Sequence, residues 1–383
     1  MATRRFHSAF VMAGALAANV GCSDSSRPSG SGSGSGGTVI VPPGGGNGGS
    51  GGQPAPTDDG AAGQSGSGGQ VMISDAGDDT AGGPAPTPDG SRTDGGSGVT
   101  DPGTMGDGDF MIAAPFQRAP EYTVAAGIKR GQIVSFTMNG ADSKVYPGAY
   151  MRKAAVYVPA DYVSGTEIPF MVAQDGLQYG YLSDIVPILD NYIAAGTLPA
   201  MAVVAADPSN SRSVEYDTVS DTFTRFVETE LLPEAKKQVM TQAQLDLNLT
   251  SDPEGRSSYG GSSGGSCAMV MGWFGNYHRI LTISGSFRPL QTSVMYPMGA
   301  AEFQNRLIAG TPIKPLRVFL EAGSMDMPGW KVANDQVDAA LAAKGYHRRY
   351  VFAQGAGHTD GGAIHQFMPE TLLWLWRGYP INK

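Results

Sequence analysis

Cysteine is almost missing from this chain of 383 residues, which has only Cys22 and Cys267, so no disulfide framework is expected. Positive charge is also short. Lys and Arg total 26 against 35 Asp and Glu, a net charge of -9 with no basic stripe, which argues against nucleic acid as a partner. There is no phosphate-cradling P-loop, no dinucleotide fingerprint after a strand, and no clustered Cys and His. Nucleotide, nicotinamide and structural zinc roles therefore lack support, and neither a cofactor nor a metal is expected. The apolar run 10–18 is too short to cross a bilayer as a mature helix.

That run follows Arg4 and Arg5 and ends in Asn19-Val20-Gly21-Cys22. A positive region, a short apolar core and a small residue before cysteine read as an export signal over 1–21. The tetrapeptide resembles a bacterial lipobox, with Asn19 where leucine is usual. It implies cleavage before Cys22 and lipidation of that residue, with ordinary signal-peptidase cleavage as the alternative. The expected location is extracytoplasmic, in a bacterial cell envelope, held to a membrane through Cys22. Residues 22–108 are dominated by Gly, Ser, Pro, Asp and Thr and cannot bury a core. They read as a disordered tether with an r.m.s. span on the order of 50 Å.

The remainder, 109–383, has the length of one α/β domain. The stretches 131–138 and 153–159 suggest an antiparallel opening pair. After them strand-like and helix-like segments alternate, with strands at 168–173, 201–206, 280–283, 317–320 and 350–353. Such alternation implies a mostly parallel sheet covered by helices on both faces. The last helix carries Leu372-Leu373-Trp374-Leu375-Trp376, a pattern suited to core packing.

Chemistry concentrates at Gly261-Ser262-Ser263-Gly264-Gly265, read as G-x-S-x-G between a short strand and an apolar helix. This frame nominates Ser263 as nucleophile, because a serine on a strand-to-helix turn projects its hydroxyl into a cleft. In an α/β-hydrolase the order is nucleophile, acid, histidine. His358, in the glycine-rich loop after the last strand, is the first candidate for the base, ahead of His365. Asp326, in the loop after 316–320, is the first candidate for the acid, and Glu321 is its rival. The Gly264 amide and an amide of the loop 174–179, with Leu177 favoured over Gly176, would form an oxyanion hole. Cys267, in the apolar segment after the turn, reads as an inert packing residue.

Several separated segments together resemble the esterase family that includes esterase D and the enterochelin esterases: 172–176, 212–221, 252–256, the glycine-serine turn, 284–287, 323–326, Trp330 and 362–364. The resemblance implies an α/β-hydrolase with Ser263, Asp326 and His358 as its triad. One departure is that many members of that family carry a longer histidine loop with a second histidine just before the Gly-Gly pair, where this chain has Asp360 and a shorter loop with only His358. In the family an arginine three residues before a glutamate lies near the cleft, which points to Arg212 and Glu215 either as a structural ion pair or as substrate-binding residues. Trp330, just past the acid, would wall an acyl or aromatic pocket or pack in the core.

The expected function is an exported serine carboxylic-ester hydrolase working through an acyl-enzyme, on a small-molecule or polysaccharide-linked ester. Two alternatives stand beside it: an acyltransferase on the same fold, and a non-catalytic surface lipoprotein that keeps the fold for binding.

Overall fold

Successive side chains on a strand point to opposite faces, and the middle strands of this chain are apolar on both. In the computed structural model, which describes residues 101–381, they form the centre of a nine-stranded sheet. The strands are β1 Gly108–Ala113, β2 Gln132–Asn139, β3 Met151–Val158, β5 Phe170–Gln174, β6 Ala202–Ala206, β8 Arg256–Gly261, β9 Arg279–Ile283, β10 Arg317–Gly323 and β11 His347–Gln354. A small parallel pair lies apart, β4 Glu167–Ile168 with β7 Asn248–Leu249. The order across the sheet is β1-β11-β10-β9-β8-β5-β6-β3-β2. All pairings are parallel except β2 with β3 and β3 with β6. The fold is α/β, with the antiparallel opening pair at one edge.

The helices are α1 Tyr181–Ala195, α2 Arg212–Tyr216, α3 Thr222–Phe226, α4 Leu232–Ala243, α5 Ser263–Phe274, α6 Ile308–Gly310, α7 Trp330–Lys344 and α8 Gly361–Leu375. They divide between the faces by residue parity. On β5, Phe170 and Val172 join Phe226, Met269 and Val337 in one core, whereas Met171 and Ala173 join Ile185, Ile188 and Met368 in the other. Helices α1 and α8 therefore cover one face, and α3, α4, α5 and α7 cover the other. Among the described residues no helix is long and apolar enough to cross a membrane.

Two details differ from the sequence reading. The expected strand 168–173 is broken by Pro169, which has no N–H for a ladder, so Ile168 pairs away in the small sheet. The chain is also tied to the sheet before residue 109. Asp107 accepts hydrogen bonds from Trp374 Nε1 at 3.0 Å and from His347 Nδ1 at 2.8 Å, and β1 then pairs in parallel with β11. The proposed leader, Cys22 and the tether up to residue 100 lie outside the described residues.

Phe319 of β10 is fully buried, with its ring 5.3 Å from that of Phe367 on α8. Truncating it removes the contact that seats α8 on the sheet beneath the histidine loop. Phe319→Ala is expected to lower unfolding free energy by about 3–5 kcal/mol, measured by urea denaturation. A loss under about 1 kcal/mol would mean that α8 does not depend on this packing.

Candidate active site

Parallel strands gather their chain ends at one edge of a sheet, and clefts form there. Strand β8 ends at Gly261, and the next residue, Ser262, has φ 58° and ψ −124°, a left-handed conformation rare outside glycine. Its neighbours allow the turn. A Cβ on Gly260 would lie 2.5 Å from the backbone of Gly264, so the strand and the first turn of α5 meet only because no side chain stands between them. The turn is pinned on both sides: Ser262 N–H donates to Ile283 O at 2.9 Å, and Ser286 N–H donates to Ser262 O at 3.0 Å.

Facing this serine is a histidine oriented by a carboxylate. His358 Nε2 lies 2.8 Å from Ser262 Oγ, and His358 Nδ1 lies 2.6 Å from Asp326 Oδ1. The Asp326 carboxylate is fully buried, whereas the imidazole keeps partial access to solvent. With Nδ1–H donated to Asp326, Nε2 is left as the acceptor for the serine proton. The loops carrying the two residues are tied to each other, since Met325 N–H donates to Ala356 O at 2.8 Å and Gly355 N–H donates to Ser324 Oγ at 2.8 Å. A Cβ on Gly323 would sit 2.4 Å from Ala356 O, so glycine is what lets the acid loop pass the histidine loop.

The Putative esterase family profile matches residues 149–370, a span that contains all three residues. The chain belongs to the Putative esterase family. Members of this family are carboxylic ester hydrolases. No curated protein matches the sequence. Among solved structures, the enterobactin esterase of Shigella flexneri, crystallised with 2,3-di-hydroxy-N-benzoyl-serine, is 21% identical, with a TM-score of 0.51 over 69% of this chain and 63% of that one. The chain therefore spans under two thirds of that relative's length. A ferulic acid esterase of Anaeromyces mucronatus, in complex with ferulic acid, is 14% identical, with a TM-score of 0.51 over 70% of this chain and 99% of that one. At these identities the likeness is one of fold.

Within this esterase fold the serine that meets the histidine is Ser262, not Ser263. The run from Gly260 to Gly265 holds two overlapping G-x-S-x-G frames, and the sequence reading took the second. Strand β8 runs through both Gly260 and Gly261, so the first residue of the turn is Ser262; Ser263 is already the first helical residue and is buried. The frame that spans the turn is Gly260 to Gly264. The amide directly after Ser262 is accordingly that of Ser263 rather than Gly264, at the start of α5 where N–H groups have no intrahelical acceptor.

The early loop also differs from the sequence reading in which of its amides is free. Leu177 N–H is donated to Asp207 Oδ1 at 3.1 Å, as is Gln178 N–H at 2.8 Å, so Leu177 has a partner inside the protein. Gly176 N–H has no acceptor among the described residues. Arg212 and Glu215 do not pair with each other. Arg212 forms a forked pair with the buried Asp175, with Nη2 2.6 Å from Oδ2 and Nε 3.0 Å from Oδ1. Glu215 binds Arg152 through both oxygens at 2.8 and 2.9 Å, with both side chains buried, which removes Glu215 from any substrate surface. Trp330 stands at the site: its ring meets that of His358 edge-on at 6.0 Å, and its Nε1–H donates to Ser286 Oγ, itself 3.3 Å from Ser262 Oγ.

The rival residues are occupied elsewhere. His365 Nδ1 lies 2.9 Å from Arg118 Nη1, and its ring packs edge-on against Tyr122. Asp360 caps α8 by accepting from Gly362 N–H and Ala363 N–H. Cys267 is fully buried, and burial pushes its thiol well above the usual range. Glu321 is buried behind the acid, with Oε2 3.4 Å from Ser284 Oγ, the hydroxyl that accepts Thr359 N–H beside His358.

Burial, then the charge of Asp326, pushes the Glu321 carboxyl up to about 8 from an ordinary value of 4.5. A carboxyl raised in the folded state contributes stability that is complete below about pH 4.5 and is lost as pH rises through about 8. The melting temperature of the wild type should therefore fall between pH 5 and 8.5, and Glu321→Gln should flatten that slope in calorimetry. Equal slopes in the two proteins would show that Glu321 is not a buried neutral acid. Glu215→Gln leaves Arg152 buried without its carboxylate and is expected to cost about 3–5 kcal/mol in urea unfolding. An unchanged midpoint with a raised KM would instead return Glu215 to the substrate site.

Proposed function

We propose that this chain hydrolyses carboxylic esters by covalent catalysis, with Ser262 as nucleophile, His358 as general base and then acid, and Asp326 as the carboxylate that orients the imidazole. The observation that carries the proposal is the unbroken line from Asp326 Oδ1 to His358 Nδ1 at 2.6 Å and from His358 Nε2 to Ser262 Oγ at 2.8 Å.

In the first half, Ser262 Oγ attacks the ester carbonyl carbon while its proton passes to His358 Nε2. The developing oxyanion is received by the Ser263 amide, at the positive end of α5, and by the Gly176 amide of the loop that presses on that helix. A Cβ on Gly264 would touch Gln174 and Asp175 at 3.2 Å, which is how closely the two donors' segments approach. His358 returns the proton to the departing alkoxide, leaving an acyl-serine and an alcohol. Water then attacks the acyl carbon, giving its proton to His358, and Ser262 leaves with a proton restored.

Trp330, half-buried beside the imidazole, supplies an aromatic wall for the ester's acyl group. The fold neighbours crystallised with a dihydroxybenzoyl-serine and with ferulic acid support aromatic esters as substrates. On the sequence alone, the same proposal places the enzyme outside the cytoplasm, exported by residues 1–21 and anchored through lipidated Cys22.

The test separates the two neighbouring serines. Incubation with a fluorophosphonate followed by peptide mass spectrometry should place the adduct on Ser262, and Ser262→Ala should lower 4-nitrophenyl acetate turnover by about 10⁴-fold or more. Ser263→Ala should label normally and keep turnover within about tenfold, because its backbone amide remains. An adduct on Ser263, or none on any serine, would overturn the assignment.

A further inference from the structure

Arginines near the cleft of this acidic protein are matched by carboxylates: Arg212 by Asp175 and Arg152 by Glu215. Arg288 is different. Among the described residues its guanidinium has no carboxylate within 4.0 Å and no hydrogen-bond acceptor. It lies on the loop that follows β9, two residues after Ser286, the residue hydrogen-bonded to both Ser262 and Trp330.

Its position is built rather than free. The guanidinium lies 5.3 Å over the Trp330 ring, which stands at 83° to the His358 ring. The guanidinium lies against Gly329: a Cβ there would be 1.9 Å from Arg288 Nη1 and would displace it from this position. The φ of +84° at Gly329 also suits glycine alone. Beside it opens a cavity of about 310 Å³ lined by Arg288, Met298, Gln304, Gly329 and Val332. Met298 and Val332 are exposed at its mouth. A fork of donors thus stands one aromatic ring away from the imidazole, at an apolar cavity, with its hydrogen-bonding capacity unused.

We infer that Arg288, held on Trp330, is a specificity-determining residue that pairs with a carboxylate carried by the ester substrate, so that the enzyme prefers monoanionic esters to neutral ones of the same size. The inference rests on the esterase reading and deepens it. A guanidinium matches a carboxylate with two parallel hydrogen bonds, and the Trp330 ring beneath it holds it near the site. Arg288 is the one charged residue in the lining of the apolar cavity beside it, so a carboxylate entering there has no competing charge to meet.

The experiment uses the full chain and two matched substrate pairs. One pair carries the charge on the acyl side, mono-4-nitrophenyl glutarate against 4-nitrophenyl valerate. The other carries it on the alcohol side, 4-acetoxybenzoate against phenyl acetate. In the wild type the anionic member of at least one pair should have the higher kcat/KM, by an excess that shrinks with added salt. Arg288→Met should lower the anionic-to-neutral ratio for that pair about tenfold to a hundredfold, and Arg288→Lys should restore part of it. Ratios unchanged in both pairs, with all rates lowered together, would make Arg288 a brace for Trp330 and overturn the inference. If the wild type hydrolyses none of the four esters, the esterase reading fails, and binding alone decides the subsite. Calorimetric titration of 4-hydroxybenzoate against 4-hydroxybenzamide then serves: preference for the carboxylate, lost in Arg288→Met, upholds the subsite, and equal binding overturns it.

Discussion

The contact on which the site depends is between two glycines. Gly260 and Gly264 bring the end of β8 against the first turn of α5, and no residue with a side chain could stand at position 260 without moving that backbone. Only this approach lets Ser262 take its left-handed turn and lift its hydroxyl above the sheet edge. His358 reaches that oxygen directly, and Asp326 reaches it through His358. A serine in relaxed helical geometry one residue later is buried and meets none of them.

Backbone strain in this molecule is concentrated rather than scattered. Of the five non-glycine residues with positive φ among the described residues, Asp175, Ser262, Ser284 and Thr359 all lie on the loops at the carboxyl ends of the sheet strands. Each costs on the order of 1–3 kcal/mol, and such residues persist only where surrounding structure over-determines them. Here the over-determination is visible in hydrogen bonds: Ser284 Oγ accepts Thr359 N–H, Asp175 grips Arg212, and Arg212 in turn reaches Gly261 O at 3.4 Å. The sheet and its two apolar cores carry that cost, holding the loops in shapes that they would not adopt alone.

How much of this could be read from the residues follows from the range of the interactions involved. Strand and helix alternation is a local pattern, and it led to the parallel sheet and the antiparallel opening pair. Chain order led to Asp326 and His358, because each lies just past an apolar strand. The error at Ser263 was one of register: with four glycines flanking two serines, either frame satisfies the motif, and only the point where β8 stops decides between them. The pairing of Glu215 with Arg152, 63 residues apart, has no local signature at all. Nor has the use of the Leu177 amide by Asp207, which removes a donor that the loop sequence had offered. Pro169 was a signal available in the sequence, since a residue without an N–H was placed inside a buried strand.

Asp107 fixes a direction for the molecule as a whole. It clamps the incoming chain to His347 and Trp374 beneath the amino ends of β10 and β11, and β1 then runs parallel to β11 toward the cleft edge. Asp107 and Ser262 consequently lie at opposite poles of the sheet. The first described residues stay on that floor, with Asp101 3.6 Å from His347, so the rim where Ser262, His358 and Asp326 meet is formed without any contribution from the entering strand's approach.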